Sequence, residues 1–217
     1  MPYSTEAPVR DIFLGGAERR VMLNLHAFMP RSHANGPGIR TVIWFQGCTL
    51  GCPGCFNPAT HASASQQQMP VAALVERLIA DAPAIEGLTI SGGEPLQQSE
   101  ALLCLLSAVR TRTTLSVLLF SGYTLSEISQ MPLGPAILAQ VDVLIAGRYV
   151  QTRRLAHGLR GSANKTVHLL TDRYTLEDIE HVPPAEIWID AEGNISISGI
   201  APPAIDYAAR AHRPYSG

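Results

Sequence analysis

The sequence is short of charge. Asp, Glu, Lys and Arg make up 16% of its 217 residues, against about 25% in an average soluble domain. The two signs nearly cancel, with 16 Lys and Arg facing 18 Asp and Glu. That balance excludes a strongly basic nucleic-acid binder and an acidic tail protein. Long apolar runs are missing as well. No window approaches the roughly 20 apolar residues of a membrane-spanning helix, and the most apolar stretches, 115–120 and 143–146, are strand-length. The first 20 residues carry Glu6, Arg10, Asp11, Glu18, Arg19 and Arg20, so no apolar core of a secretory signal is expected there. These absences point to a cytoplasmic protein with no membrane and no nucleic-acid partner, its cysteines reduced. Hydrophobic residues still reach 46%, enough for a substantial core and against disorder as the main state.

Cysteine is scarce too, four in all, but three of the four sit together. Cys48, Cys52 and Cys55 are spaced C-x3-C-x2-C, among Gly47, Gly51, Pro53 and Gly54. Glycine accepts backbone conformations closed to other residues, so such a loop can wrap tightly round a compact object. Three converging thiolates repel unless a cation compensates them, which points to a metal centre. Structural zinc takes four protein ligands, usually as two separated pairs, and no fourth is evident. Cys104 falls in 99–112, where Leu102, Leu103, Leu105, Leu106 and Val109 predict an amphipathic helix; there it reads as a small buried hydrophobe. His61 is the other residue that could complete a zinc site. A 4Fe–4S cluster on three thiolates leaves one iron open to a substrate or cofactor.

The spacing resembles the cluster motif of the radical S-adenosylmethionine superfamily. The flanks sharpen this: Asn35-Gly-Pro-Gly-Ile-Arg40 precedes the strand 41–46 that runs into the cysteine loop, and Phe56-Asn57 follows it. Together they are similar to the glycyl-radical-enzyme activases, above all those serving anaerobic ribonucleotide reductase. The segment 88–95 is a short β-branched strand ending in Gly92-Gly93-Glu94-Pro95, similar to that family's second motif. Strand ends of parallel α/β sheets are where ligands bind, and Glu94 can reach a cation; the plainer reading is a strand-to-helix turn with Glu94 solvated. Further similar segments follow in order: Phe120-Ser-Gly-Tyr-Thr124, Asp142 to Arg148, and Arg160 to Lys165. The resemblance spans about residues 22–172.

It implies the following. Cys48, Cys52 and Cys55 hold a 4Fe–4S cluster whose open iron chelates S-adenosylmethionine. Gly92, Gly93 and Glu94 hold the methionyl amine. Ser121, Gly122 and Tyr123 lie near the ribose or sulfonium. Asn164 contacts the adenosine or methionyl end, and Phe56 and Asn57 touch adenine. Many superfamily members place an aromatic before the third cysteine; Gly54 stands there instead, which moves the adenine contact elsewhere. One-electron cleavage of S-adenosylmethionine then gives a 5′-deoxyadenosyl radical that abstracts hydrogen. The implied partners are a glycyl radical enzyme and an electron donor such as flavodoxin or ferredoxin.

Strands at 21–28, 41–46, 88–91, 115–120, 142–146 and 166–170 alternate with helices at 71–82, 97–112 and 125–130. Alternation predicts an α/β fold with mostly parallel strands. The resemblance suggests a partial, open barrel, and the chain is too short for the complete one of roughly 250 residues. Residues 62–68, all Ser, Ala and Gln, predict a flexible connector. Three parts result: an N-terminal extension over 1–20, a core domain over 21–175 and a C-terminal extension over 176–217. The extension carries a β-hairpin signal, Glu186 to Asp190 and Asn194 to Ser198, which either covers a sheet edge, the preferred reading, or frames a substrate. The seven histidines are not clustered, and Arg148, Arg153, Arg154 and Arg160 ring a predicted loop, as a solvated face or a carboxylate-capturing one. Three functions compete: activation of a glycyl radical enzyme, radical chemistry on a small metabolite or peptide, and a non-enzymatic metal-binding module.

Overall fold

The computed structural model describes residues 21–62, 67–189, 192–193 and 195–201. The extension expected over 1–20 and the tail expected from Pro202 lie outside the described residues. Eleven strands run through the described part: β1 (Met22–Ser32), β2 (Arg40–Phe45), β3 (Gln67–Pro70), β4 (Gly87–Gly92), β5 (Ser116–Phe120), β6 (Val143–Ala146), β7 (Arg154–His157), β8 (Arg160–Ser162), β9 (Thr166–Leu169), β10 (Glu186–Ile189) and β11 (Ile195–Ser198). Seven form one sheet in the order β3-β1-β2-β4-β5-β6-β9. Its centre, β2, β4, β5 and β6, is parallel. The edges are antiparallel: β1 and β3 on one side, β9 on the other. The pairs β7–β8 and β10–β11 stand as separate ribbons.

Period-two alternation divides the sheet into two faces. On one face Ile43, Phe45, Leu88, Ile90, Val117, Leu119 and Leu144 join the main core with the helices Val71–Asp81 and Ser99–Arg112. The second helix is not amphipathic as expected. Every residue from Ala101 to Val109 is buried, Cys104 included, because the helix packs on the sheet side and also against helices Val71–Asp81 and Gly134–Leu138. A helix that is apolar all round belongs inside. On the other face Leu118, Val143 and Ile145 pack with Leu159, Tyr174, Ile179 and Val182.

Two further expectations fail for physical reasons. Gln67 and Gln68 are not connector but edge strand, in register with Leu25 and Asn24. An edge strand here asks only for backbone hydrogen bonds, which glutamine supplies as well as valine. The β7–β8 ribbon replaces the predicted loop round the arginines, with Gly158 at φ 57° in its turn, a left-handed conformation that glycine adopts without steric cost.

The second face is polar at the N-terminal end of the parallel strands. Arg40 is fully buried there. Its guanidinium donates to Thr89 Oγ1 at 2.8 Å, Ser116 Oγ at 2.8 Å, Leu88 O at 2.9 Å and Tyr174 Oη at 3.2 Å. Tyr174 in turn donates to Glu86 at 2.5 Å. Burial pulls the Arg40 guanidinium below its ordinary value and pushes the Tyr174 hydroxyl up. A Cβ on Gly36 would meet Arg40 Cδ at 2.5 Å, so the glycine after Asn35 leaves the space this side chain fills.

Replacing Arg40 by Met strands several buried acceptors at once, and is expected to cost about 3 kcal/mol of stability. Denaturant unfolding of the reduced protein measures this. Arg40→Lys should recover only part of the loss, because one ammonium cannot replace the planar fork.

Candidate active site

Beyond the C-terminal ends of β2, β4 and β5 lies a cavity of about 600 Å³. Cys48, Cys52 and Cys55 line it, with Phe56, Asn57, Gly92, Gly93, Glu94, Ser121 and Gly122. The strand order therefore gathers residues from three separate stretches of the chain at one spot. Tyr123 and Asn164 do not line it. Tyr123 stacks under the Arg148 guanidinium, 4.8 Å from the ring centroid. The Asn164 amide donates to Arg148 O at 2.8 Å, and its Oδ1 is buried without a partner.

The cysteine loop is seated by backbone, not by its thiols. Gly47 N–H donates to Thr60 O at 2.8 Å and Cys48 N–H to His61 O at 3.2 Å. Glu94 N–H donates to Gly47 O at 2.9 Å and Gly93 N–H to Phe45 O at 2.8 Å. So the two glycines do more than expose backbone. A Cβ on Gly92 would sit 2.3 Å from Phe45 N, and one on Gly93 2.2 Å from Gly47 O. Gln46, buried behind the loop, donates to Ala62 O at 2.7 Å and pairs with His26 Nδ1 at 2.9 Å. Gly51 turns the loop at φ 61°, with open space where a side chain would stand.

Glu94 is 1% exposed, which overturns the solvated-acid reading. Its carboxylate accepts from Leu96 N–H at 3.1 Å, Ser121 Oγ–H at 3.0 Å and Gly122 N–H at 2.7 Å. It ties the end of β4 to the turn after β5. Burial pushes its pKa up, and the three donors together with the charge of Lys165 oppose that. Lys165, which the sequence reading passed over for its neighbour Asn164, lines the cavity and donates to Gly147 O at 2.5 Å. Burial pulls its ammonium down against the charges of Glu94, Cys52 and Cys55. Asn164 and Lys165 sit in a turn after β8, closed by Lys165 N–H donating to Ser162 O at 3.1 Å, so strand alternation gives no signal there. Phe56 is 42% exposed and meets Tyr149 edge to face, ring centroids 5.2 Å apart.

Cys48, Cys52 and Cys55 are free thiols, and burial pushes the Cys48 thiol up. Among the described residues no three His, Cys, Asp or Glu side chains converge round a single ion. A cube of four irons asks for something else, one thiolate at each of three corners.

Comparison with known proteins decides the family. Residues 34–168 match the 4Fe–4S single cluster domain. The anaerobic ribonucleoside-triphosphate reductase-activating protein of Vibrio cholerae is 33% identical over 158 residues, 69% of this chain and 99% of that protein. The chain belongs to the radical S-adenosylmethionine activases. The activating protein of the same name from Escherichia coli K12 is 30% identical over 156 residues, 68% of this chain and 99% of that protein. Pyruvate formate-lyase-activating enzyme of Clostridium pasteurianum is 35% identical over 107 residues, 48% of this chain and 45% of that one. A radical S-adenosylmethionine activase is an enzyme that carries a 4Fe–4S cluster and binds S-adenosylmethionine, and the donor set of this cavity fits both. Three free thiols face it, and Gly92, Gly93 and Gly122 stand in its wall.

Gly93→Ala is expected to lift the cysteine loop off β4 at a cost of about 1–3 kcal/mol, read as lost iron and sulfide after anaerobic reconstitution. Glu94→Gln keeps the shape but offers one acceptor oxygen where the carboxylate offers two. It should weaken S-adenosylmethionine binding about tenfold, the worth of one good hydrogen bond, in an anaerobic titration.

Proposed function

We propose that this activase installs a glycyl radical on a partner enzyme of the anaerobic ribonucleoside-triphosphate reductase type. The observation that carries the reading is the joint placement of the three cysteines, Gly92, Gly93 and Glu94 on one cavity, in a chain that spans nearly the whole length of activating proteins of that name. Cluster and S-adenosylmethionine together supply one-electron cleavage of the C5′–S bond, which yields methionine and a carbon radical that takes hydrogen.

The chain's residues provide the frame. Cys48, Cys52 and Cys55 would hold three irons and leave the fourth open. Gly92 and Gly93 bring backbone close to the methionyl amine, and the Glu94 carboxylate draws that cation in a low-dielectric setting. Because Glu94 also grips Ser121 and Gly122, binding at the amine end and at the ribose end is mechanically joined. Phe56 and Asn57 would flank adenine. Tyr123 and Asn164, off the cavity wall, would act through Arg148, which each of them touches. The apolar lining, Phe120, Tyr149 and Leu159 among it, excludes water from a reactive radical.

The polar second face supports reading the sheet as a partial, open barrel whose interior holds the cavity; residues 21–175 are the proposed core domain, 1–20 an extension before it and 176–217 one after it, whose Ile179 and Val182 pack on the sheet. The same reading takes a flavodoxin or ferredoxin as electron donor and the cytoplasm as the compartment. Among the described residues no helix is long and apolar enough to cross a membrane.

Anaerobic reconstitution tests this. The expected protein is brown, holds roughly four irons and four sulfides, and releases 5′-deoxyadenosine from S-adenosylmethionine under reductant. Incubated with the reductase from the same genome it should produce a glycyl radical signal, and Cys48→Ala, Cys52→Ala or Cys55→Ala should each bring both readouts to background. Cleavage without a glycyl radical would move the function to a small metabolite or peptide. Zinc in place of iron, with no cleavage, would leave a metal-binding module.

A further inference from the structure

The β10–β11 hairpin lies beyond the stretch 34–168 that the cluster domain covers. Whether or not it shields the edge, the preferred reading, it adds no strand there: β10 and β11 pair with each other and with no strand of the seven-stranded sheet. Instead Ser196, Ile197, Ser198, Gly199 and Ile200 line the cavity.

The attachment is polar and specific. Glu186 accepts from the Ser32 hydroxyl and from His33 N–H at 2.8 Å. The Asn35 amide donates to Ser32 Oγ at 2.7 Å and to Ser198 Oγ at 2.6 Å. Ser32, Asn35 and Ser198 are buried, so the Asn35 bonds of this latch are shielded from water, while the bond from His33 to Glu186 is exposed. At the base, Ala201 N–H donates to Pro184 O at 3.0 Å. A lone two-stranded ribbon is marginal in water; the latch is what holds it at the cavity.

The hairpin's apolar side chains do not complete the core. Ile187 is 52% exposed and Ile189 66%. Cross-strand pairing sets Ile187 opposite Ile197 and Ile189 opposite Ile195, so the four isoleucines share one face. Ile197 lines the cavity, so this isoleucine face has one end exposed and one member at the cavity wall. A face of this kind suits an extended polypeptide segment, gripped through alternate side chains. It offers no charge to a polar metabolite.

We infer that the C-terminal hairpin is the docking wall of this activase: latched by Ser32, Asn35, Glu186 and Ser198, it receives the glycine-bearing segment of the partner along Ile187, Ile189, Ile195 and Ile197 and guides it to the cavity. This rests on the activase reading. The wall adds a surface outside the part shared with the cluster-domain family, and so selects which partner is served.

The test compares wild type with two variants, using the reductase from the same genome as the probe. In Ile187→Ser/Ile189→Ser both changes are at exposed positions, and in Glu186→Ala the latch is opened. Both should keep their iron and sulfide; the melting temperature holds in the serine variant and falls in Glu186→Ala, which gives up the bonds from Ser32 and His33. Both should raise the KM for the reductase about tenfold, the scale of a docking contact; in the serine variant kcat holds. A KM unchanged in both variants overturns the inference while leaving the activase reading intact. Wild-type protein that cleaves S-adenosylmethionine yet leaves the reductase without a glycyl radical overturns the activase reading, and the inference with it.

Discussion

Everything at the cavity depends on how closely two strands approach. The end of β4 passes the end of β2 with no room for a side chain at Gly92 or Gly93. That contact lets Gly93 and Glu94 donate backbone hydrogen bonds to Phe45 and Gly47, which seats the cysteine loop on the sheet. The same turn drives the Glu94 carboxylate into the protein, where it finds Ser121 and Gly122 at the end of β5. One steric allowance thus couples three loops that are distant in sequence. Methyl groups at those two positions would separate the cysteine loop from the turn that carries Glu94.

The second face of the sheet is divided along the strands. At their start, Arg40 fills the interior with a guanidinium whose donors find Thr89, Leu88, Ser116 and Tyr174. At their end, the interior opens into the cavity. A buried polar network is costly unless satisfied throughout, and this one has its partners on neighbouring strands and on the segment after β9. It fixes strand register from inside, at the end away from the cavity, and leaves the other end free to be shaped by loops.

What the sequence disclosed was whatever local chemistry dictates. The cysteine spacing, the Gly-Gly-Glu-Pro turn and the apolar strands are short-range patterns, and the helix at 125–130 announces itself by its Thr124–Glu127 capping box. Partnership across the fold was harder to see. Gln67 and Gln68 read as connector because an edge strand leaves no apolar trace. The helix Ser99–Arg112 read as amphipathic because its third neighbour, Gly134–Leu138, is too short to register. Lys165 was passed over because its role is set by what stands across the cavity, not by what lies beside it in the chain. The hairpin was legible as a hairpin, but not its place: four side chains from two remote segments decide that.

The seat of the cysteine loop has one more consequence. Its backbone bonds, Gly47 to Thr60, Cys48 to His61 and Glu94 to Gly47, are joined by the Gln97 side chain on Thr49. None of these partners is a cysteine thiol, so replacing one of the three sulfurs takes a donor from the cavity and leaves the seat of the loop in place.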